Sequence, residues 1–451
     1  MKDYRKMSFW LEEGDYQENA PLEGSLEADV AVVGGGFTGL SSALYIKERH
    51  PELKVALLEA EVVGYGASGR NGGFSMPLLG WDITYLVWLF KERGIRAHQF
   101  MLECVRRTRE LVERENLDCD LEYNGLLVLA RNDFQMRQLR RNKKDFEKAG
   151  CHDIEILTGP ALRERVNSSW HVGALYEPDT AILNPAKLSR EMKRLIEKKG
   201  VQVFERSPAI EFTPGPTVHI KTPSGEVKAK HAVLALNAFG HRLRVRPYTY
   251  APLFTYIILT EPLSDSLYQE VGWTRREGIE DKRQLVHYMR PTVDNRILMG
   301  GRNAPYYFGN QAEGKESHAK TFQGLEDDLK GMFPMLKNTK ITHRWGGPVA
   351  ITMMFVPSFG YYLGHRNVAY GTGYCGHGVA LSTSAGSIID ELLFNPESEL
   401  LKELLFVHNT PGVIPPEPFR WPLLNLVKGG MSLFDRLVER KAKGTPGWRE
   451  Q

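Results

Sequence analysis

The stretch 29–73, DVAVVGGGFTGLSSALYIKERHPELKVALLEAEVVGYGASGRNGG, constrains the fold more than any other part of the chain. An apolar run, Val30-Ala31-Val32-Val33, predicts a buried strand. It turns on Gly34-x-Gly36-x-x-Gly39 and passes into a helical pattern, and a second apolar run, 55–58, ends at Glu59. Strand, glycine turn, helix, strand and acid is the order a dinucleotide-binding unit requires. Gly34 permits the tight turn, Gly36 lets backbone N–H groups approach a pyrophosphate, and Gly39 lets the helix lie close to the strand. Phe37 and Thr38 open that helix, whose positive end faces the diphosphate. Glu59, with Ala60 beside it, is placed to accept hydrogen bonds from the adenosine ribose. The unit predicts an α/β chain with a Rossmann-like domain, but does not separate a nicotinamide from a flavin dinucleotide.

The next residues, 64–73 (GYGASGRNGG), narrow the choice. VVGGGFTGL, LLEA and GASGRNGG together resemble the D-amino-acid-oxidase superfamily of FAD enzymes, and within it most of all the gamma-glutamylputrescine oxidase type. Further likeness lies in Ser8-Phe9-Trp10, in GALYEPDTAILNPAKLSR (173–190) and in GTGYCGHGVALSTSAGSIIDELL (371–393), so that it spans about residues 8–420. The resemblance implies a two-lobed flavoprotein, its Rossmann-like FAD domain interleaved with a substrate domain on a mixed, largely antiparallel sheet. It implies that Gly66, Ala67, Ser68, Arg70, Asn71, Gly72 and Gly73 run along the pyrophosphate and ring. Residues 203–210, ending at Ile210, would pass the adenine, and Asn237 and Gly346 would also lie at the cofactor. Gly373, Tyr374, Gly376, His377, Gly378 and Val379 would meet the ring's pyrimidine edge. There a helix N-terminus stabilises the anion formed on reduction, and His377 is either a proton or hydrogen-bond donor or a brace for the loop.

Departures from relatives qualify the likeness. Monomeric sarcosine oxidases attach their flavin through a cysteine and keep a lysine just after the GHG turn. Here the segment after Trp345, GGPVAITMMF, has no cysteine, and Val379 and Ala380 follow Gly378. Non-covalent FAD is therefore expected, and neither the cation-assisted oxygen reaction nor sarcosine specificity carries over from those enzymes.

The interleaving predicts FAD-domain segments at 26–84, 151–249 and 341–400, substrate-domain segments at 85–150 and 250–340, and a tail at 401–451. One helix is expected over 85–117, others over 132–149, 184–200 and 311–333. Strands are expected at 123–130, 201–205, 209–212, 218–221, 232–235, 254–259, 285–290 and 296–300. Tyr288, Arg302 and Trp345 are the pocket candidates beside His377: an aromatic wall, a carboxylate anchor and a second wall. Strand alternation puts His287 and Tyr288 on opposite faces, so at most one faces the flavin. Cys375 reads as a packing residue rather than a nucleophile.

The net charge of +3 carries no nucleic-acid footprint. No apolar run of membrane-spanning length and no apolar leader occur. The four cysteines, Cys104, Cys119, Cys151 and Cys375, show no metal spacing, which points to reduced thiols in a cytoplasm and no metal site. After the stiff segment 414–418 (IPPEP), an amphipathic helix is expected over 421–441. Leu423, Val427, Phe434, Leu437 and Val438 form one side of it, and Lys428, Arg436, Arg440 and Lys441 the other. It either docks on the chain's own body or a sister subunit, or attaches peripherally to a membrane. Three functions stay open. One is oxidation of an amine or amino acid C–N bond with oxygen as acceptor and hydrogen peroxide as product. The second is the same oxidation with electrons passed to a carrier or quinone. The third is a flavin-binding subunit without turnover.

Overall fold

The computed structural model describes residues 3–409 and 411–442. Its first sheet runs Ser358–Tyr362, His365–Thr372, Gly225–Leu234, Gly24–Val33, Val55–Leu58, Gln202–Phe204, with Val218–Lys221 and Glu211–Thr213 branching from Gly225–Leu234. The five strands from His365–Thr372 to Gln202–Phe204 are parallel. Their central residues, Val30 to Val33 and Val55 to Leu58, are buried because helices Phe37–Arg49 and Val379–Phe394 cover one face and Val218, Ile220, Leu243 and Val245 pack on the other. Helix Phe37–Arg49 packs against helix Val379–Phe394. Small residues allow the close approach: a Cβ on Gly386 would collide with the Ser41 carbonyl, and Ser41 Oγ donates to Ser382 O at 2.8 Å.

The second sheet runs Ile341–Thr352, Tyr250–Thr260, Ile297–Gly301, His287–Pro291, Gly278–Asp281, Leu126–Ala130, Gly173–Glu177, Glu155–Thr158. All pairs are antiparallel except Gly278–Asp281 with Leu126–Ala130. Helix Ala319–Met332 covers one face through Phe322, Leu325 and Leu329, which pack on Phe254, Ile258 and Met299. The other face, with Ile257, Tyr288 and Trp345, looks at the first lobe.

The two-lobed α/β flavoprotein fold is as expected, but the segment boundaries are not. Glu155–Thr158 and Gly173–Glu177 belong to the second sheet, not to the cofactor lobe, because their ladder partner is Leu126–Ala130. Ile341–Thr352 is likewise an edge of the second sheet, paired along its length with Tyr250–Thr260. The helix expected over 85–117 is two helices, Ile83–Phe90 and Glu92–Glu115, broken at Lys91 with φ 51°. The longer one packs in the first-lobe core, where Thr108 and Thr383 hydroxyls lie 2.7 Å apart. The helix expected from residue 311 starts at Ala319.

The tail helix, Arg420–Ala442, docks on the chain's own body. Asp435 accepts hydrogen bonds from the Gln284 and Leu285 backbones at 2.8 and 3.0 Å. Its expected faces are only partly right. Leu423 turns inward, but so does Lys428; Val427 lines the same cavity yet is 45% exposed, as Phe434 and Leu437 also are exposed. The side chains of Arg440 and Lys441, and residues 443–451 of the tail, lie outside the described residues.

Candidate active site between the lobes

The glycine turn is built as its spacing requires. Gly34 has φ 111°, and a Cβ there would lie 2.6 Å from the Ala235 carbonyl oxygen. A Cβ on Gly39 would collide with the Gly34 carbonyl, so helix and strand meet only through glycine. Gly36 caps helix Phe37–Arg49 without a side-chain hydrogen bond, and the Ser68 hydroxyl accepts from Phe37 N at 2.9 Å. Glu59 accepts from Gly35 N at 2.6 Å and from Glu61 N at 2.9 Å, while burial pushes its carboxyl up to about 7.

These residues wall a cavity of about 180 Å³. Of the expected cofactor residues, Gly34, Gly36, Phe37, Thr38, Glu59, Ala60, Gly66, Ala67, Ser68, Asn71, Asn237, Tyr374, Gly376, Gly378 and Val379 line it. The tyrosine hydroxyl of Tyr374 and Thr38 Oγ1 lie 2.6 Å apart, which ties the C-terminal turn to the first helix. Gly373 instead shapes that turn, with φ 76° and its N–H donating to Asn237 Oδ1 at 3.2 Å. Gly73 packs under the Leu183 carbonyl. Ile210 is misplaced by the sequence reading: it is 63% exposed, and Pro208 and Ala209, just before it, form the wall. The cavity fits FAD: a helix start with glycine at its N-cap, a side-chain-free approach at Gly36 and a buried acid all line it.

A second cavity of about 310 Å³ adjoins the first. Ala67, Asn71, Pro348, Val349, Cys375, Gly376 and Val379 line both, so the two meet at the start of helix Val379–Phe394. That helix start has no side-chain cap either. Tyr288, Arg302, Trp345 and His377 all line the second cavity, together with Arg70, Gly72 and Gly346. Tyr288 packs on Gly72, where an added Cβ would lie 2.9 Å from its ring. Trp345 is buried and its indole N–H donates to Arg70 O at 2.8 Å, bracing the loop. Trp10 braces it from outside by donating to Asn71 O at 2.9 Å.

The polar groups divide into engaged and free. Desolvation holds the His377 imidazole down at about 4, so it is neutral, and Nδ1 lies 3.1 Å from the Cys375 carbonyl. An Nδ1–H donating there leaves Nε2 as an acceptor. Burial pushes the Cys375 thiol up to about 11, and Sγ donates to Gly373 O at 3.1 Å. Arg302 Nη1 is committed to Asp328 Oδ2 at 2.9 Å. The same carboxylate oxygen meets His287 Nε2 at 3.0 Å on the opposite sheet face from Tyr288, where His287 is fully buried. Arg70 is engaged through Nε, which donates to Tyr65 O at 2.7 Å, but its Nη1 makes no hydrogen bond and comes only within 3.9 Å of Glu316.

Two cavity groups escaped the sequence reading. Glu280 stands in the wall on strand Gly278–Asp281, and Lys428 reaches in from the tail helix, where burial lowers its pKa. Neither belongs to a motif. The register that puts Glu280 opposite Tyr288 is a tertiary fact. Among the described residues no group of three or more His, Cys, Asp or Glu side chains could hold a metal ion, and no helix is long and apolar enough to cross a membrane.

Comparison with known proteins agrees with this geometry. The chain is 34% identical over 375 residues to gamma-glutamylputrescine oxidoreductase of Escherichia coli (strain K12), covering 82% of this chain and 85% of that one. It is 30% identical over 391 residues to a probable oxidoreductase of Haemophilus influenzae, covering 84% and 86%. Among solved structures, glycine oxidase from Geobacillus kaustophilus superposes with a TM-score of 0.68 at 20% identity, over 83% of this chain and 96% of that one. L-proline dehydrogenase from P. horikoshii superposes with a TM-score of 0.69 at 18% identity, over 84% and 96%. The model of the FAD dependent oxidoreductase family matches residues 29–392, the span that holds both glycine-rich turns and nearly all of both sheets; the chain belongs to that family.

Proposed function

We propose that this enzyme oxidises the C–N bond of an amine or amino acid, with oxygen as acceptor and hydrogen peroxide as product. The observation that carries the reading is the junction of the two cavities at residues 67, 71 and 375–379. A dinucleotide laid along the first cavity ends at the mouth of the second. The similarity to gamma-glutamylputrescine oxidoreductase supports an amine in that second cavity. When bound, FAD supplies the hydride acceptor. The chain's own part is positioning and exclusion of water. Tyr288 and Trp345 wall the substrate side, and Leu423, Val427 and Met431 of the tail helix close it with apolar side chains.

The reacting nitrogen must be uncharged, so that its lone pair can support the developing iminium. His377, neutral and with Nε2 free of a partner among the described residues, can take up a proton there. A substrate carboxylate would meet Arg70 Nη1 or Lys428, in preference to Arg302, whose charge Asp328 already balances. FAD is held without a covalent bond: Cys375 is the one thiol in either cavity wall among the described residues, and burial keeps it protonated.

An anaerobic screen of primary, secondary and N-methyl amines, followed by flavin bleaching, tests the reading. Bleaching by an amine and peroxide release on admitting air are expected. Bleaching by a 2-hydroxy acid and by no amine refutes the reaction class. Bleaching by amines with reoxidation only by a quinone or a dye refutes the oxidase half alone.

A further inference from the structure

Among the described residues Glu280 is the one acidic side chain of the second-cavity wall. Its carboxylate has no hydrogen bond or ion pair among the described residues. Its place follows from register. Glu280 lies opposite Tyr288 on the antiparallel neighbour and beside Val128 on the parallel one. Side chains directly opposite share a face, so Glu280 and Tyr288 both look into the cavity, while Asp281 and His287 pair on the other side at 2.6 Å.

Among the described residues no cation forms an ion pair with it. Lys282, whose charge acts on Glu280, donates instead to Asp82 at 2.6 Å and Asn142 at 2.9 Å. Lys428, at the tail-helix side, has no charged group acting on it. Burial pushes the Glu280 carboxyl up to about 7, and burial with the nearby Glu280 charge pushes Glu177, behind it on the next strands, up to about 8. An unpaired carboxylate in a mostly apolar wall is a cost unless a ligand cation answers it.

Its position says which cation. Glu280 is absent from the residues common to both cavities. The row across the sheet runs Trp345, Ile257, Gly300, Tyr288, Glu280. Four strand spacings separate its ends, roughly 19 Å at about 4.8 Å each. A carboxylate also holds a bound nitrogen in its charged form, which would oppose oxidation at that nitrogen. We infer that Glu280 binds a second, distal ammonium of the substrate, which stays charged while another nitrogen, at the cavity junction, is oxidised. The substrate class is then an extended aliphatic amine with cationic nitrogens at both ends. This rests on the proposed amine oxidation, and names the substrate class for that site.

The test compares 1,10-diaminodecane with decylamine on the holoenzyme. Anaerobic calorimetry measures binding, and stopped-flow absorbance measures flavin reduction. Wild-type protein should bind the diamine at least 10-fold more tightly, the range of a hydrogen bond to a charged group. Glu280→Gln should abolish that preference, leaving FAD content and the flavin spectrum near wild type; Glu280→Asp should keep part of it. Equal affinity of the wild type for the two amines overturns the inference without recourse to a variant. So does a Glu280→Gln protein that retains the preference. If the diamine binds through Glu280 but no amine reduces the flavin, the reaction fails and the cation site stands. If amines reduce the flavin without a diamine preference, the cation site fails and the reaction stands.

Discussion

Asp328→Asn should destabilise the second lobe and change how its stability depends on pH. Asp328 Oδ2 accepts from His287 Nε2 at 3.0 Å and from Arg302 Nη1 at 2.9 Å. His287 is 0% exposed and its Nδ1 meets Asp281 at 2.6 Å. Burial of the ring opposes its charge, but Asp281 and Asp328 outweigh burial, so the pKa rises above 6.5 and both ring nitrogens donate. Removing one charge forfeits about 2 kcal/mol at the buried histidine and up to about 1 kcal/mol at Arg302, whose side chain is 34% exposed. At roughly 2 °C per kcal/mol for a cooperative unit of this size, the melting midpoint should fall by about 6 °C. A raised histidine contributes fully below its unfolded pKa of 6.5 and loses its contribution as pH rises through the folded value. The variant has one carboxylate fewer, so its loss begins at lower pH. The gap from wild type should be widest between pH 5 and 6 and narrow once both histidines are neutral. Thermal unfolding of the holoenzyme, followed by near-UV circular dichroism from pH 5 to 9, measures both. A midpoint within 2 °C of wild type at pH 6, or a gap that widens steadily with pH, would refute the assignment of a charged His287.

The purified protein should be yellow and release intact FAD on denaturation, and Cys375→Ser should release it equally; flavin that precipitates with the chain refutes the non-covalent reading. Gly36→Val should lose the cofactor, because even a Cβ there lies 2.9 Å from Ser68 Oγ; flavin content of the folded variant is the measure. His377→Ala should slow flavin reduction several-fold with FAD still bound, and unchanged stopped-flow traces would leave His377 as a loop brace. Arg302→Ala should raise the substrate concentration required by less than about 3-fold, whereas Arg70→Ala should raise it 10-fold or more, as loss of a charged hydrogen bond predicts; the reverse order in steady-state kinetics would restore Arg302 as the carboxylate anchor.

The cofactor half of this molecule is written locally. Strand, glycine turn, helix and acid fall within 31 residues, Val30 to Ala60, and Gly39 answers to the Gly34 carbonyl of its own turn. Local sequence suffices there because the physical demand, a close backbone approach at fixed spacing, is itself local. The GHG turn reads the same way, its helix starting at Val379 as expected. The substrate half is decided by pairing between distant strands. Nothing in GIED or LVHYMR marks Glu280 as the neighbour of Tyr288; an antiparallel register does, and a slip of one residue would turn Glu280 out of the cavity and Asp281 into it. Arg302 looks like a free cation in the sequence, but helix Ala319–Met332 brings Asp328 against it. Lys428 sits among polar residues of an amphipathic pattern, yet the docking of the tail through Asp435 turns it inward. Motif chemistry depends on spacing along the chain and so is legible in it, whereas the charge balance of a cavity depends on which distant side chains share a wall, and only the tertiary structure decides that.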